Sequence, residues 1–463
     1  MATRHVIIGG GPVATNALET IRQFEKSPSE ITLLCDEPAH SRMALPYWLS
    51  GQVPREHTHT ADDDYYQKFN VDARIGIRVD KVDAKNQTLS LSDGGTLEFD
   101  SLLIATGASP VGLSIPGADL PGVQTLWTLA DTARLLDEAD GVNKPRVLMI
   151  GGGFIGFIML NAMHKRGWDL AVVEREPHVL PRMLDAEAAT LVESWLASKQ
   201  VDVRCGATVR SIAAGGNGAK VVELSDGNRL EADVVIVAVG IKPNLDLIAG
   251  SGIETDEGIL VDDTLQTNSP NIYAGGDVAQ GPVLFSSEPS IHAIQPTAVD
   301  HGRVAGANMA GHEVHYPGSL SMNILDVCGL QNASFGNWTD PNAEAITVSH
   351  PGGYVYRKLL FTGEEITGAL FVGRANDMGM LTDVGMVKGI MQTRTQLGPW
   401  KAFLAENPTD IRRPYIATNV AQKLAGTTLL GRPATNRQFQ FGGAKPQQAV
   451  GSHHAVYVGT KKD

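Results

Sequence analysis

His5-Val6-Ile7-Ile8-Gly9-Gly10-Gly11-Pro12-Val13-Ala14 is an apolar strand that stops in glycines and opens a helix. The same reading returns at Arg146-Val147-Leu148-Met149-Ile150-Gly151-Gly152-Gly153-Phe154-Ile155-Gly156. Each is followed by a second apolar run ending in acid, Ile31-Thr32-Leu33-Leu34-Cys35-Asp36-Glu37 and Leu170-Ala171-Val172-Val173-Glu174. Two βαβ units are therefore expected. A third pair of matching runs closes each unit, Leu97-Glu98-Phe99-Asp100 through Gly107 and Leu230-Glu231-Ala232-Asp233 through Gly240. Hairpin turns precede both, at Ser92-Asp93-Gly94-Gly95 and Ser225-Asp226-Gly227-Asn228. The pattern predicts two related α/β nucleotide-binding domains in tandem.

The glycines have a chemical task. The first permits a tight turn, the second lets backbone approach a pyrophosphate, and the third small residue lets helix pack on strand. Helix N–H groups then hold the phosphates. Gly9, Gly11, Pro12 and Ala14 form this turn in the first unit, and Gly151, Gly153, Phe154, Ile155 and Gly156 in the second. An acid at the end of the next strand accepts hydrogen bonds from ribose hydroxyls and repels a 2′-phosphate. Glu174 thus favours NAD(H), with NADP(H) the lesser alternative because Arg175 adjoins it; in the first unit Asp36 and Glu37 compete for the ribose. Two dinucleotide sites in one chain imply a relay.

The 463 residues exceed what one core organises, at about 100–200 residues per domain. A hydrophobic share of 43%, a charged share of 19% and a net charge of −13 describe a globular chain with no general affinity for nucleic acid or anionic lipid. Cys35, Cys205 and Cys328 lie far apart, which excludes a disulfide framework and a local Cys-x-x-Cys pair, so a reducing, cytoplasmic setting is expected. The chain passes from Met1 almost directly into the first strand, without a signal-peptide pattern. Uncharged Val147 to Met163 is shorter than the roughly 20 residues of a membrane span and holds four glycines, so it reads as strand, turn and helix. His57 and His59 would share a face of an extended strand, but Asp62, Asp63 and Asp64 after them suit the start of a helix, and no metal is expected.

Three further stretches, Ala105-Thr106-Gly107, Val239-Gly240-Ile241-Lys242-Pro243-Asn244 and Asn271-Ile272-Tyr273-Ala274-Gly275-Gly276-Asp277-Val278-Ala279, complete a resemblance. With the glycine turns, they resemble the two-dinucleotide flavoproteins of the pyridine nucleotide-disulfide oxidoreductase superfamily, over residues 1 to about 400. The resemblance implies FAD on the first unit, with contacts at Ala105, Thr106, Gly107, Gly276 and Asp277, and NAD(H) on the second, with Gly240 beside it. Asp277 is then one aimed acceptor near the flavin's ribityl or pyrophosphate region; its alternative is a plain helix cap. His292 to Gly311 looks like the helix whose N-terminus, at Thr297 and Ala298, faces the flavin pyrimidine and stabilises negative charge there.

Tyr356 to Phe361 and Ile366 to Gly373 alternate like paired strands, and resemble the dimerisation domain of NADH oxidases, rubredoxin reductases and the flavin part of nitrite reductases. The expected architecture is α/β: two Rossmann-like dinucleotide-binding domains plus a C-terminal α+β dimerisation domain. An FAD domain spans residues 1–115 and 243–317, an NAD(P) domain 116–242 and an interface domain 318–430. Gly398-Pro399 breaks a helix before another begins at Trp400, and residues 431–463 read as a tail.

Departures from the pattern carry the functional reading. Ser41-Arg42-Met43-Ala44-Leu45-Pro46-Tyr47 looks like the active-site stretch of coenzyme A-disulfide reductases and NADH peroxidases, with Met43 at the place of the redox cysteine. Methionine forms no thiolate or mixed disulfide, and Cys35 reads as a core thiol. Arg42 is the candidate positive charge beside the flavin, by analogy with nitrite-reductase-like flavoproteins, or else a salt-bridging arginine. Phe154 takes the place of an aromatic gate, and Phe157-Ile158 the place where many relatives carry a glutamate near the nicotinamide. The expected activity is that of an FAD-dependent NAD(P)H oxidoreductase that passes hydride from NADH to FAD and electrons onward to a small-molecule or redox-protein acceptor, without a cysteine relay or general base. A homodimer is implied. Alternatives are an NADH oxidase using oxygen and a redox-sensing flavoprotein that acts through protein interaction.

Overall fold

The computed structural model describes residues 2–426 and 429–430; the stretch read as a tail, 431–463, lies outside the described residues. The first glycine stretch folds as strand Arg4–Ile8 and helix Pro12–Phe24, and its strand is central in a five-stranded parallel sheet. Glu30–Cys35 and Ser101–Ile104 flank it, Val71–Ile75 lies outside the former, and Ile272–Ala274, returning from far along the chain, lies outside the latter. Nearly every residue of the central strands is buried, as expected for a parallel sheet covered on both faces.

The second stretch repeats this plan. Strand Arg146–Ile150 lies between Asp169–Val173 and Val234–Val237, with Asp202–Arg204 and Val123–Thr125 at the edges, all parallel. Each unit also carries a three-stranded antiparallel sheet containing the hairpin turns read from sequence. The duplication reaches individual hydrogen bonds. Arg4 binds Asp100 through its backbone N–H and guanidinium, both at 2.8 Å, and Glu98 at 2.6 Å. Arg146 binds Asp233 at 2.8 Å in both ways and Glu231 at 2.9 Å. Each clamp fixes the start of a central strand to the start of its neighbour.

Beyond residue 318 an antiparallel sheet of five strands, including Val355–Thr362 paired with Glu365–Arg374, is followed by helices Met378–Gln392 and Pro399–Glu406. Its buried face is shared: Leu325, Val327, Leu330, Tyr356, Leu370 and Val372 form one core with the second glycine unit. Asp185, which caps helix Ala186–Ser198, also accepts from Tyr356 Oη at 2.7 Å and Lys358 Nζ at 3.0 Å, adding polar bonds across that junction. In the first unit, helix Gln295–Met309 crosses Pro12–Phe24 closely. A Cβ at Gly302 or Gly306 would fall 2.4 Å or 2.6 Å from the backbone oxygens of Val13 and Ala17.

The segment of His57 and His59 forms no extended strand: Arg55–Thr58 coils into a 3₁₀ turn and His59 pairs with His40 in an isolated bridge. As read from sequence, the acids that follow start a helix, with Asp62 capping Asp63–Lys68 and accepting from Tyr65 N–H at 2.9 Å. Among the described residues, no helix is long and apolar enough to cross a membrane.

Candidate functional site

One continuous cavity of about 2800 Å³ runs between the two glycine turns. Gly9, Gly11, Pro12, Asp36, Glu37, Arg42, Met43, Ala105, Thr106, Gly107, Gly276, Asp277, Thr297 and Ala298 line it from the first unit, and Gly151, Gly153, Phe154, Ile155, Gly156, Glu174 and Gly240 from the second. Ala14 alone among the candidates lies behind the wall, fully buried. The chain thus brings both sets of candidates onto one space.

The glycine turns are built for close approach. Gly9 and Gly151 have φ of 113° and 106°, and a Cβ on either would lie 2.2 Å or 2.4 Å from the carbonyl oxygen of Ala105 or Ala238. By contrast, nothing stands within 4 Å of a Cβ built on Gly11 or Gly153. Those two residues precede the helices, and neither helix start carries a side-chain cap. Unpaired N–H groups facing open space suit an anion. The residues therefore fit two pyrophosphate-bearing cofactors.

Glu174 follows its strand directly and is nearly buried, accepting from Gly152 N–H at 2.6 Å and Glu176 N–H at 2.9 Å. These bonds aim the carboxylate at the glycine turn. The first unit differs from the second at this point. Ile8 pairs with Leu34 as Ile150 pairs with Val173, so the residue at the register of Glu174 is Cys35. A Cβ on Gly10 would touch the Cys35 sulfur at 3.4 Å, as one on Gly152 would touch Glu174. The strand in this unit therefore ends in a thiol, and the acids follow one and two residues later. Asp36 is exposed; Glu37 is more enclosed, and burial together with the Asp36 charge pushes its carboxyl up.

Arg42 reaches across the cavity wall. Its guanidinium stacks on Trp127, 4.2 Å from the ring centroid, and lies 3.4 Å from Asp277. Trp127 is held by its indole N–H, which donates to the Ala108 carbonyl at 2.8 Å. The salt-bridging reading of Arg42 is thus met inside the cavity rather than on a free surface. Asp277 caps no α-helix; burial pushes its carboxyl up and Arg42 opposes that rise. Behind it, buried His301 is pushed down to about 3 by burial, so its neutral Nδ1 accepts from Gly276 N–H at 3.2 Å and holds the turn that carries Asp277. Sequence reading missed Trp127 and His301. His301 sits one turn along the quoted helix and carried a signal, a polar residue on its buried face; Trp127 carried none.

Met43 is 44% exposed at the cavity edge, in the 3₁₀ turn Arg42–Ala44. Phe154 opens the second helix, and Ile158 continues the apolar lining where a carboxylate was expected in relatives. No cysteine stands ready to replace the missing thiol. Burial pushes Cys35 up to about 11 and Cys205 and Cys328 up to about 12, keeping all three protonated at neutral pH. Thr106 and Asn244 bond each other's backbone at 3.2 Å and 2.8 Å, joining the two segments that cross between the units.

The chain is 30% identical over 420 residues to the epsilon subunit of the NADH-dependent phenylglyoxylate dehydrogenase of Aromatoleum evansii, covering 90% of this chain and 97% of that one. It is 28% identical over 384 residues to the assimilatory nitrate reductase electron transfer subunit of Bacillus subtilis, covering 82% of this chain and 49% of the relative, so it spans about half that protein's length. Among solved structures, a ferredoxin reductase from Rhodopseudomonas palustris superimposes with a TM-score of 0.73 at 27% identity, over 81% of this chain and 92% of the other. An enzyme of the flavin-dependent NAD(P)H oxidoreductase kind is the consequence for this chain. The pyridine nucleotide-disulphide oxidoreductase pattern matches residues 3–302, and the chain belongs to that family.

Proposed function

We propose that this oxidoreductase takes hydride from NADH seated at Gly151–Gly156 to FAD seated at Gly9–Ala14, and passes the electrons to an external acceptor without a cysteine relay. The observation that carries the reading is the single cavity lined by both glycine turns, with Met43 at its edge in place of a thiol. When bound, FAD supplies the conversion between hydride and single-electron chemistry. The chain supplies position. Glycine N–H groups hold pyrophosphates, Glu174 holds the nicotinamide nucleotide's ribose and disfavours a 2′-phosphate, and Glu37 takes the flavin nucleotide's ribose in preference to exposed Asp36. Arg42, fixed by Trp127, places positive charge beside Asp277, and the uncapped start of helix Gln295–Met309 adds partial positive charge at Thr297 and Ala298.

In this reading residues 1–115 and 243–317 serve FAD, residues 116–242 serve NAD(H), and residues 318–430 make subunit contacts in a cytoplasmic homodimer. Exposed Met378 and Ile416, on the C-terminal helices, are apolar surface that a second copy would cover. The acceptor is a redox protein, as the name of the ferredoxin reductase states for that relative.

Anaerobic titration of the flavin-loaded protein with NADH and NADPH tests the reading. NADH bleaches the flavin absorbance within seconds and NADPH does so more slowly. Rapid oxygen consumption with NADH alone would favour an oxidase, and failure to bleach would favour a flavoprotein that only senses redox state.

A further inference from the structure

Just before helix Gln295–Met309, His292 lines the cavity, as do Thr297 on the helix's first turn and Tyr316 on the segment that returns past it. Thr297 and Tyr316 are buried and His292 is half-buried. Ser319 Oγ hydrogen-bonds His292 Nδ1, and the Ser319 and Thr297 hydroxyls are both hydrogen-bonding neighbours of the Tyr316 phenol. One polar row, His292, Ser319, Tyr316 and Thr297, therefore runs along the wall to the helix start that the reading above sets against the flavin.

The row is held from behind. Ser319 N–H donates to the Pro282 carbonyl at 3.0 Å and the Ser319 carbonyl accepts from Leu284 N–H at 2.9 Å, so backbone fixes the serine on both sides. The Tyr316 ring stands edge-on to buried His301, with centroids 4.9 Å apart. With Nδ1 occupied by Ser319, Nε2 of His292 has no partner among the described residues, and unlike His301 Nε2 it is not sealed from solvent. Burial pushes the His292 imidazole down, and its titratable neighbours are neutral as well: His301 on the helix, pushed down to about 3, and Tyr316, pushed up by burial and by Asp300. The charges on the surrounding elements are opposed or outside. Arg303 and Lys388 act against Asp300, Arg42 faces Asp277 beside the Ser41–Gln295 contact of 3.4 Å, and Glu288 in the preceding loop is exposed. A neutral, accessible imidazole beside a seat that gains negative charge is a place for a proton.

We propose that His292 Nε2 takes up one proton from water when reduction puts negative charge on the flavin seat, and returns it when the electrons leave. This rests on the reading above that NADH reduces FAD in this cavity, and it adds where the accompanying proton is held. In the first half, NADH and one proton from water become NAD⁺, singly negative reduced flavin and protonated His292. In the second, two electrons pass to the acceptor and two protons return to water, one from the flavin and one from His292. Ser319 fixes the imidazole, and Tyr316 and Thr297 are positioning residues between it and the helix start.

The test uses the full-length flavin-loaded protein. In weakly buffered anaerobic solution with phenol red, NADH reduction of the wild type consumes protons, with uptake rising toward about one per flavin between the oxidised and reduced titration midpoints of His292. His292→Gln consumes none in that range. In NMR of protein labelled at histidine Cε1, the His292 resonance, assigned by its loss in His292→Gln or, should that variant not fold, His292→Asn, is titrated before and after dithionite reduction. Its midpoint rises by about 1–3 pH units on reduction; Ser319→Ala shrinks the rise and Ser319→Thr restores it. Equal proton uptake in wild type and His292→Gln would put the proton on the flavin itself and overturn the proposal, as would a His292 midpoint that reduction leaves unmoved. Dithionite needs no nicotinamide site, so the NMR titration still decides if NADH fails to reduce the flavin, and that failure would count against the functional reading instead.

Discussion

Gly9→Ala and Gly151→Ala form a matched pair that separates the two cofactor seats. Each replacement puts a methyl 2.2 Å or 2.4 Å from a backbone oxygen, and each residue keeps a φ above 100° that alanine adopts only under strain. The obstructing atoms are the carbonyls of Ala105 and Ala238, held in the parallel ladders by Ala105 N–H and Ala238 N–H donating to Ile8 and Ile150 at 2.8 Å. No flexible side chain can yield. Backbone strain of about 1–3 kcal/mol and overpacking of about 1–3 kcal/mol add to about 2–6 kcal/mol. At about 1.4 kcal/mol per decade, that is a loss of about 30-fold to 10⁴-fold in the affinity of the displaced turn for its ligand, less whatever appears as lower stability.

The two variants should fail differently. Gly9→Ala should purify with little flavin and require high FAD for reconstitution, read from the visible absorbance of the bound cofactor. Gly151→Ala should keep its flavin, while the NADH concentration for half-maximal flavin reduction in anaerobic stopped flow rises by at least about 30-fold. Circular dichroism confirms that both fold. A Gly151→Ala protein that loses flavin, or a Gly9→Ala protein that retains it with weakened NADH binding, would show that the two turns had been assigned to the wrong cofactors.

Glu174→Ala removes a carboxylate held by two backbone N–H groups; with charge-assisted bonds worth about 1.5–3 kcal/mol, NADH binding should weaken by about 10- to 150-fold, and unchanged NADH-over-NADPH selectivity would refute its role. Asp277 is raised by burial, so its ionised form is disfavoured in the folded apoprotein and stability should fall as pH rises from about 4. Asp277→Asn should remove that slope in thermal melts of the apoprotein while lowering FAD affinity; an unchanged slope would exclude Asp277 as its source. Iodoacetamide at pH 7 should leave NADH oxidation by an added acceptor intact, because all three thiols are held protonated, and Met43→Cys should create no disulfide reductase activity, since acceptor recognition also needs a pocket. Inactivation by the reagent would reveal a cysteine in the relay.

The parts legible in sequence are those where the chain states a local rule twice. Both glycine turns could be read because sterics at Gly9 and Gly151 and open space at Gly11 and Gly153 demand the same residue types in either unit. The arginine clamps had the same kind of signal, since Glu98-Phe99-Asp100 and Glu231-Ala232-Asp233 were visibly alike, yet their partners Arg4 and Arg146 are distant in sequence and became evident only through the ladder. Register was harder. An apolar run ending in Cys-Asp-Glu leaves open which acid serves the ribose, and the pairing of Ile8 with Leu34 puts Cys35 opposite the glycine turn, ahead of both acids. What could not be read at all is what joins the units: Arg42 stacking on Trp127, and a core shared by the second unit and the C-terminal sheet. Neither contact follows from a local period, because each pairs residues far apart in the chain.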